Sequence, residues 1–186
     1  WGAGQPSAIN LDRAGRILLF YTRQDEDMST ATYVVEIDVT DPDNPALGDP
    51  RRVPTAGLTS GTPGVAVVLH NADFAYDALR DRVWVVRPRH PFPLVAGRRS
   101  IVSSVLQVAS IPLAGLLSGD GQWQVAQHVG PEQTGVPLNH NAGFGRDAYG
   151  HLPDASKIRL NFATADTGPD SLWTYSLRGI VLDLAP

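Results

Sequence analysis

Short runs of alternating apolar and polar residues dominate the chain, each closed by Asp, Gly or Pro. Leu18, Leu19, Phe20 and Tyr21 form one such run between Arg16 and Thr22. Trp84, Val85 and Val86 form a second between Arg82 and Arg87, and Leu160 and Phe162 anchor a third between Lys157 and Thr164. A period of two with β-branched and aromatic residues predicts half-buried strands. No segment keeps a helical period over three turns, so the fold class expected is all-β. A further strand is predicted after each run, at Tyr33–Val39, Val105–Leu113 and Trp173–Leu182. Edge strands are predicted at Arg51–Pro54 and Gln122–Val129, and twelve short strands are expected in all.

These strands fall into a repeat. Gln5-Pro6-Ser7-Ala8-Ile9, Asn71-Ala72-Asp73-Phe74-Ala75 and Asn141-Ala142-Gly143-Phe144-Gly145 each lead, through an Asp-containing turn, into one of the runs above. The spacing is 66 residues from Gln5 to Asn71 and 70 from Asn71 to Asn141. Four antiparallel strands at a near-constant period is the pattern of β-propeller blades, which bury one another's faces around an axis. The period exceeds that of WD40 or kelch repeats. Approximate blades are 5–70, 71–137 and 138–186 of a single domain, 1–186. Propellers close with about four to eight blades, so three imply a partial ring. A second chain or a further segment is expected to complete it, and the start at Trp1 rather than Met is read the same way. The competing reading is a β-sandwich whose strands look alike.

Composition narrows the function. The chain of 186 residues has 15 basic and 19 acidic residues, a formal charge of −4. That balance lacks the cationic footprint that nucleic acid demands. Cysteine is absent, which removes disulfides, thiolate nucleophiles and Cys-based metal sites. The 18 Gly and 15 Pro punctuate strands and leave little room for long helices. A long uncharged stretch, Ile101–Gly119, contains four Ser and a central Pro112. It is expected to form two strands and a turn rather than a membrane span.

The segment WGAGQPSAINLDRAGRILLFYT, Trp1 to Thr22, resembles the blade opening of five-bladed propeller glycosidases, the arabinanase, xylosidase and fructosidase-like families. HNADFAYDALRDRVWVVR, His70 to Arg87, resembles a second opening, and His140–Thr164 a looser third. The resemblance implies a five-bladed ring with an axial funnel at the starts of the innermost strands. It also implies a carbohydrate ligand, no cofactor, and three funnel carboxylates for glycoside cleavage. The matching positions here are Gln5, Asn71 and Asn141, all amides. An amide keeps the shape of a carboxyl but cannot transfer its proton. Asp73, two positions beyond Asn71, and Glu132, in a Gly/Pro-rich loop, are the candidate acid–base residues. A solvated turn or surface carboxylate is the plain alternative for each.

Other groups carry two readings. His70-Asn71 and His140-Asn141 either present hydrogen-bonding groups to sugar hydroxyls or close strand ends with backbone hydrogen bonds. Trp1, four residues before Gln5, is the one tryptophan expected at a funnel rim, whereas Trp84 is expected in an inter-blade core. No two His have metal-ligand spacing, and Asp38-Val39-Thr40-Asp41-Pro42-Asp43-Asn44 reads as Asx-Pro turns rather than a calcium loop. Asp12, Asp77 and Asp147 are expected to pair with Arg16, Arg82 and Lys157. The functions in view are carbohydrate cleavage, non-catalytic binding, and an assembly scaffold with Ile101–Leu117 at an interface.

Overall fold

The computed structural model describes residues 3–24, 29–89, 102–167 and 175–184, with the backbone of 94–95 and 98–99. The expected all-β class holds: among the described residues the regular structure is antiparallel strands with two short helices. Three sheets are up-and-down meanders, and none closes on itself. The first runs β1 (Ala3–Asn10), β2 (Arg16–Gln24), β3 (Thr30–Asp38), with β4 (Ala46–Leu47) and β5 (Arg51–Arg52) sharing the outer edge of β3. The second runs β6 (Asp73–Asp77), β7 (Arg82–Pro88), β10 (Leu106–Pro112), β11 (Gln124–Val129). A two-stranded hairpin, β8 (Leu94–Val95) and β9 (Arg98–Arg99), is inserted between β7 and β10. The third runs β12 (Leu138–Phe144), β13 (Lys157–Ala165), β14 (Ser176–Asp183).

The sheets stack in chain order, with the second in the middle. Ile9, Leu18, Phe20 and Val34 of the first sheet meet Phe74, Tyr76, Val83 and Val85 of the second. The rings of Phe20 and Phe74 stack at 3.9 Å between centroids. The opposite face of the second sheet, with Ala75, Trp84, Val86 and Val108, packs on Phe144, Ile158, Leu160 and Phe162 of the third. Each strand of the second sheet therefore alternates between two cores, which explains why β7 is buried almost throughout. The first strands of the sheets lie side by side: β1 touches β6, and β6 touches β12.

Three expectations change. The Ile101–Gly119 stretch is one strand, β10, followed by a helix α1 (Leu113–Ser118), rather than two strands. Pro112 caps the helix start with extended backbone, and Gly119, in the left-handed region at φ 81°, ends it. Val102, Leu106, Val108, Ile111 and Leu116 are buried within the chain, so this stretch belongs to its own cores. The third sheet shows three strands among the described residues, and the edge strand of the first is split in two. Finally, Asp12, Asp77 and Asp147 do not reach the cations at the strand starts. The carboxylate of Asp12 accepts the amides of Ala14, Gly15 and Arg16 at 2.8–3.1 Å. Asp77 pairs with Arg80 at 3.0 Å, and Asp147 with Arg13 at 2.7 Å. A short side chain inside a tight turn meets its own backbone before it meets a neighbouring strand. Asp38 and Asp41 likewise accept turn amides, from Thr40 and Asp43.

Candidate functional site

The repeated amides share an unusual backbone. Gln5, Asn71 and Asn141 have φ of 55°, 49° and 45°, in the left-handed region. Asn enters that region more readily than most residues. In β1 the pairing register shifts between Gly4 and Ser7, and in β12 between His140 and Gly143. The starts of β1 and β12 are thus irregular or bulged, a device common beside sites, whereas Asn71 lies two residues before β6, which pairs with β7 without a shift.

Two of the three amides converge, and His140 joins them. Gln5 Oε1 accepts the Asn71 backbone amide at 2.8 Å and the Thr22 hydroxyl at 3.0 Å. Gln5 Nε2 donates to Asn71 Oδ1. Asn71 Nδ2 lies 3.5 Å from His140 Nε2, so the ring nitrogen accepts and the proton is assigned to Nδ1. His140 is only 6% exposed, and its Nδ1 is buried with no partner among the described residues. Desolvation lowers its pKa, which keeps the ring neutral at pH 7. Asn139 beside it is fully buried, and its Oδ1 is likewise unpartnered among the described residues. Asn141 is exposed and has no hydrogen bond to Gln5 or Asn71. It borders an open groove of about 580 Å³ with Gly143, Asn161, Arg178 and Gly179. His70 is half-buried beside Asn71. Trp1 lies outside the described residues.

The two acid candidates sit in different settings. Asp73 Oδ1 accepts the Ser7 hydroxyl at 2.8 Å and pairs with Arg146 at 3.2 Å. Asp73 Oδ2 accepts the Phe144 backbone amide at 2.8 Å. The carboxylate therefore bridges all three sheets. The joint below it uses the same device, because Ser7 Oγ accepts the Phe74 amide at 3.1 Å. Glu132 is exposed in the first turn of a short helix, α2 (Pro131–Thr134), and is not part of this cluster.

Arg146 was not legible as a site residue. Its guanidinium lies between β1 and β6, donating to Ser7 Oγ at 3.2 Å, Ala8 O at 3.3 Å and Phe74 O. It opens the connection 145–156, which then crosses the far ends of both strands. Asn10 donates to Tyr149 O at 2.8 Å, Tyr76 to Gly150 O at 2.9 Å, and Leu152 to Tyr76 O at 2.8 Å. His151 Nε2 meets Asn10 O at 2.7 Å. One end of the inner strands is thus covered by backbone, while the other carries Gln5, Asn71 and His140. Among the described residues no three His, Asp or Glu gather as a metal site, and no helix is long and apolar enough to cross a membrane.

The arrangement offers amide donors and acceptors, a neutral imidazole and the Thr22 hydroxyl, all uncharged. The nearest charges, Asp73 and Arg146, neutralise each other. No protein-family model, curated protein or solved structure matches the chain.

Proposed function

We propose that the three sheets are blades of a β-propeller, completed by further sheets, and that the polar cluster at the starts of their inner strands binds a carbohydrate without cleaving it. The observation that carries the reading is the convergence, from the starts of three different sheets, of the repeat-equivalent Gln5 and Asn71 with His140, the neighbour of the third repeat position. Neutral groups that donate and accept suit the hydroxyls of an uncharged sugar. Stacked meanders with adjacent first strands support the blade reading, and five blades is what the family resemblance implies. Binding is favoured over hydrolysis because both Asp73 oxygens are engaged by Ser7, Phe144 and Arg146. Such a carboxylate is a brace between sheets rather than a free acid or base.

The test is a titration of xylo-, arabino- and fructo-oligosaccharides into ¹⁵N-labelled protein, followed at the His140 ring. Binding by at least one of these, weakened tenfold or more in Asn71→Ala and His140→Ala, is expected. No shift with any of the three series at millimolar concentration removes the carbohydrate reading. Sugar release that Asp73→Asn or Glu132→Gln abolishes would restore hydrolysis in place of binding.

A further inference from the structure

One patch of the second sheet carries positive charge with no acid to balance it. Arg87, Gln107 and His128 are neighbours across β7, β10 and β11, so they share one face of the sheet. Arg89 follows two residues after Arg87, and its backbone amide continues the ladder by donating to Val105 O at 2.8 Å. The two guanidinium groups reach the same short loop. Arg87 Nη2 donates to Thr59 O at 2.7 Å, and Arg89 Nη2 to Ser60 O at 3.4 Å. After burial, the charge of Arg89 is the next cause that lowers the pKa of both Arg87 and His128, so it faces the two of them. Among the described residues neither arginine pairs with a carboxylate. The sequence shows why. Residues 50–72, 82–119 and 121–131, which build the patch, contain no Asp or Glu, although the chain as a whole is acidic. The same three segments hold seven of its arginines.

The donors of the patch divide into spent and unspent. Arg87 is spent on bracing, through its bonds to Gln107, Thr59, Val68 and Pro88. Those bonds fix the Gln107 amide with Oε1 toward Arg87. Gln107 Nε2 then donates to Thr59 Oγ1 at 2.6 Å and to His128 Nε2 at 2.8 Å. His128 therefore accepts at Nε2, and its proton is assigned to Nδ1. That Nδ1–H, the Thr59 hydroxyl proton and Arg89 Nη1 have no acceptor among the described residues. Thr59 is exposed, and neither His128 Nδ1 nor Arg89 Nη1 is a buried atom. Bracing explains Arg87, but it leaves Arg89 with one long bond and an unbalanced charge.

We infer that this patch binds an oxyanion, a carboxylate or phosphate group, held by Arg89 with His128 Nδ1 and the Thr59 hydroxyl as further donors. A guanidinium suits either group, and charge-assisted bonds to it are the strong ones. The anion also offsets the repulsion between Arg87 and Arg89. The site uses none of Gln5, Asn71 and His140, so it stands apart from the carbohydrate reading. It lies near that cluster along the chain, since Val68, whose carbonyl accepts from Arg87, is three residues before Asn71. An acidic sugar and a free phosphate present the same chemistry to it.

Titration of inorganic phosphate and of glucuronate into the full chain, at constant ionic strength, tests the site. The readouts are the His128 ring signals and the urea midpoint. Saturation at millimolar concentration by at least one anion is expected, with a midpoint raised in its presence. Glucuronate alone would assign the anion to an acidic sugar, and phosphate alone to a phosphate group. Arg89→Met should weaken binding tenfold or more and abolish the rise, while the midpoint without anion stays level or increases. Arg89→Lys keeps the charge without the fork, and its affinity should fall between those of the native protein and Arg89→Met. No saturation by either anion overturns the inference, as does binding unchanged in both variants. A lower anion-free midpoint in Arg89→Met would make Arg89 a brace and overturn it too. Neutral sugars are followed at His140, so either reading can fail while the other stands.

Discussion

Arg87, at the end of β7, is fully buried, and no carboxylate is among its hydrogen-bond partners. Its Nε and Nη2 donate to Gln107 Oε1 at 3.1 and 2.8 Å, and Nη2 also reaches Thr59 O at 2.7 Å. Nη1 donates to Pro88 O at 3.1 Å and to Val68 O at 3.5 Å. All five N–H groups are therefore used. Burial, and secondarily the neighbouring Arg89, lower its pKa to about 10, so the group stays charged at neutral pH. Arg87→Met keeps the stem and removes every donor. Two buried acceptors, Gln107 Oε1 and Pro88 O, lose a partner at about 1–3 kcal/mol each, while Thr59 O and Val68 O, on less buried segments, can turn to water. Against this, the variant no longer desolvates a guanidinium, a relief of several kcal/mol. The stranded acceptors and the five lost charge-assisted bonds win, and a net loss of about 2–3 kcal/mol is expected. For a chain of this size that lowers Tm by roughly 4–12 °C. Urea unfolding followed by tryptophan fluorescence measures the loss directly. Thr59 and Val68 lie on the segment that leads to His70 and Asn71, so sugar affinity should fall as well. A loss below about 1 kcal/mol, or a gain, would refute the balance of desolvation against stranded acceptors.

Phe74→Ala removes the ring stacked on Phe20 at 3.9 Å in the first core, and should cost about 3–5 kcal/mol by denaturant unfolding. His128 and His140 have pKa values lowered, by burial in both and in His128 also by Arg89 and Arg87. The unfolded chain then binds more protons, so their stabilising neutral state is complete above about pH 6.5 and fades as pH falls below it. Urea midpoints at pH 7.5 and 5.5 should differ less in His140→Gln than in the native protein; an equal difference would exclude His140 from the titration. Gly150 has φ 84°, and a Cβ there would lie 2.8 Å from Ala8 O. Gly150→Ala should therefore destabilise by about 1–3 kcal/mol, with faster hydrogen exchange at Tyr76 and Leu152 as the local signature.

The sheets could be read along the chain because their signal is local. Ile17 and Leu19 recur as Val83 and Val85 at the same offset, and the turns between carry Asp and Gly. The predicted strands Arg51–Pro54 and Gln122–Val129 appear as β5 and β11 at their outer edges. Trp84 lies in the core between the second and third sheets, as its place among valines suggested. The site was legible in part: repetition singled out Gln5, Asn71 and His140, but periodicity carries nothing about which amides would meet. The third unit looked looser because 145–156 interrupts it. That same insertion brings Arg146 between β1 and β6, a contact made across 139 and 138 residues to Ser7 and Ala8. The α1 helix was missed because Leu113–Ser118 is too short to display a helical period.

Why these positions hold amides follows from the network they form. Each step needs a residue that accepts on one side and donates on the other. Gln5 accepts from Thr22 and donates to Asn71, and Asn71 donates to His140. A carboxylate accepts only, so an ionised acid at Asn71 would leave His140 Nε2 without its donor. The left-handed backbone at each position narrows the choice further, favouring Asn over bulkier residues. Acceptance alone is what the joint between sheets requires, where the Phe144 amide and the Arg146 guanidinium converge. The carboxylate stands there, at Asp73, two residues along the same chain. Amide and acid are thus sorted by hydrogen-bond direction: donors and acceptors alternate along the chain from Thr22 to His140, and the charge sits where the sheets are locked together.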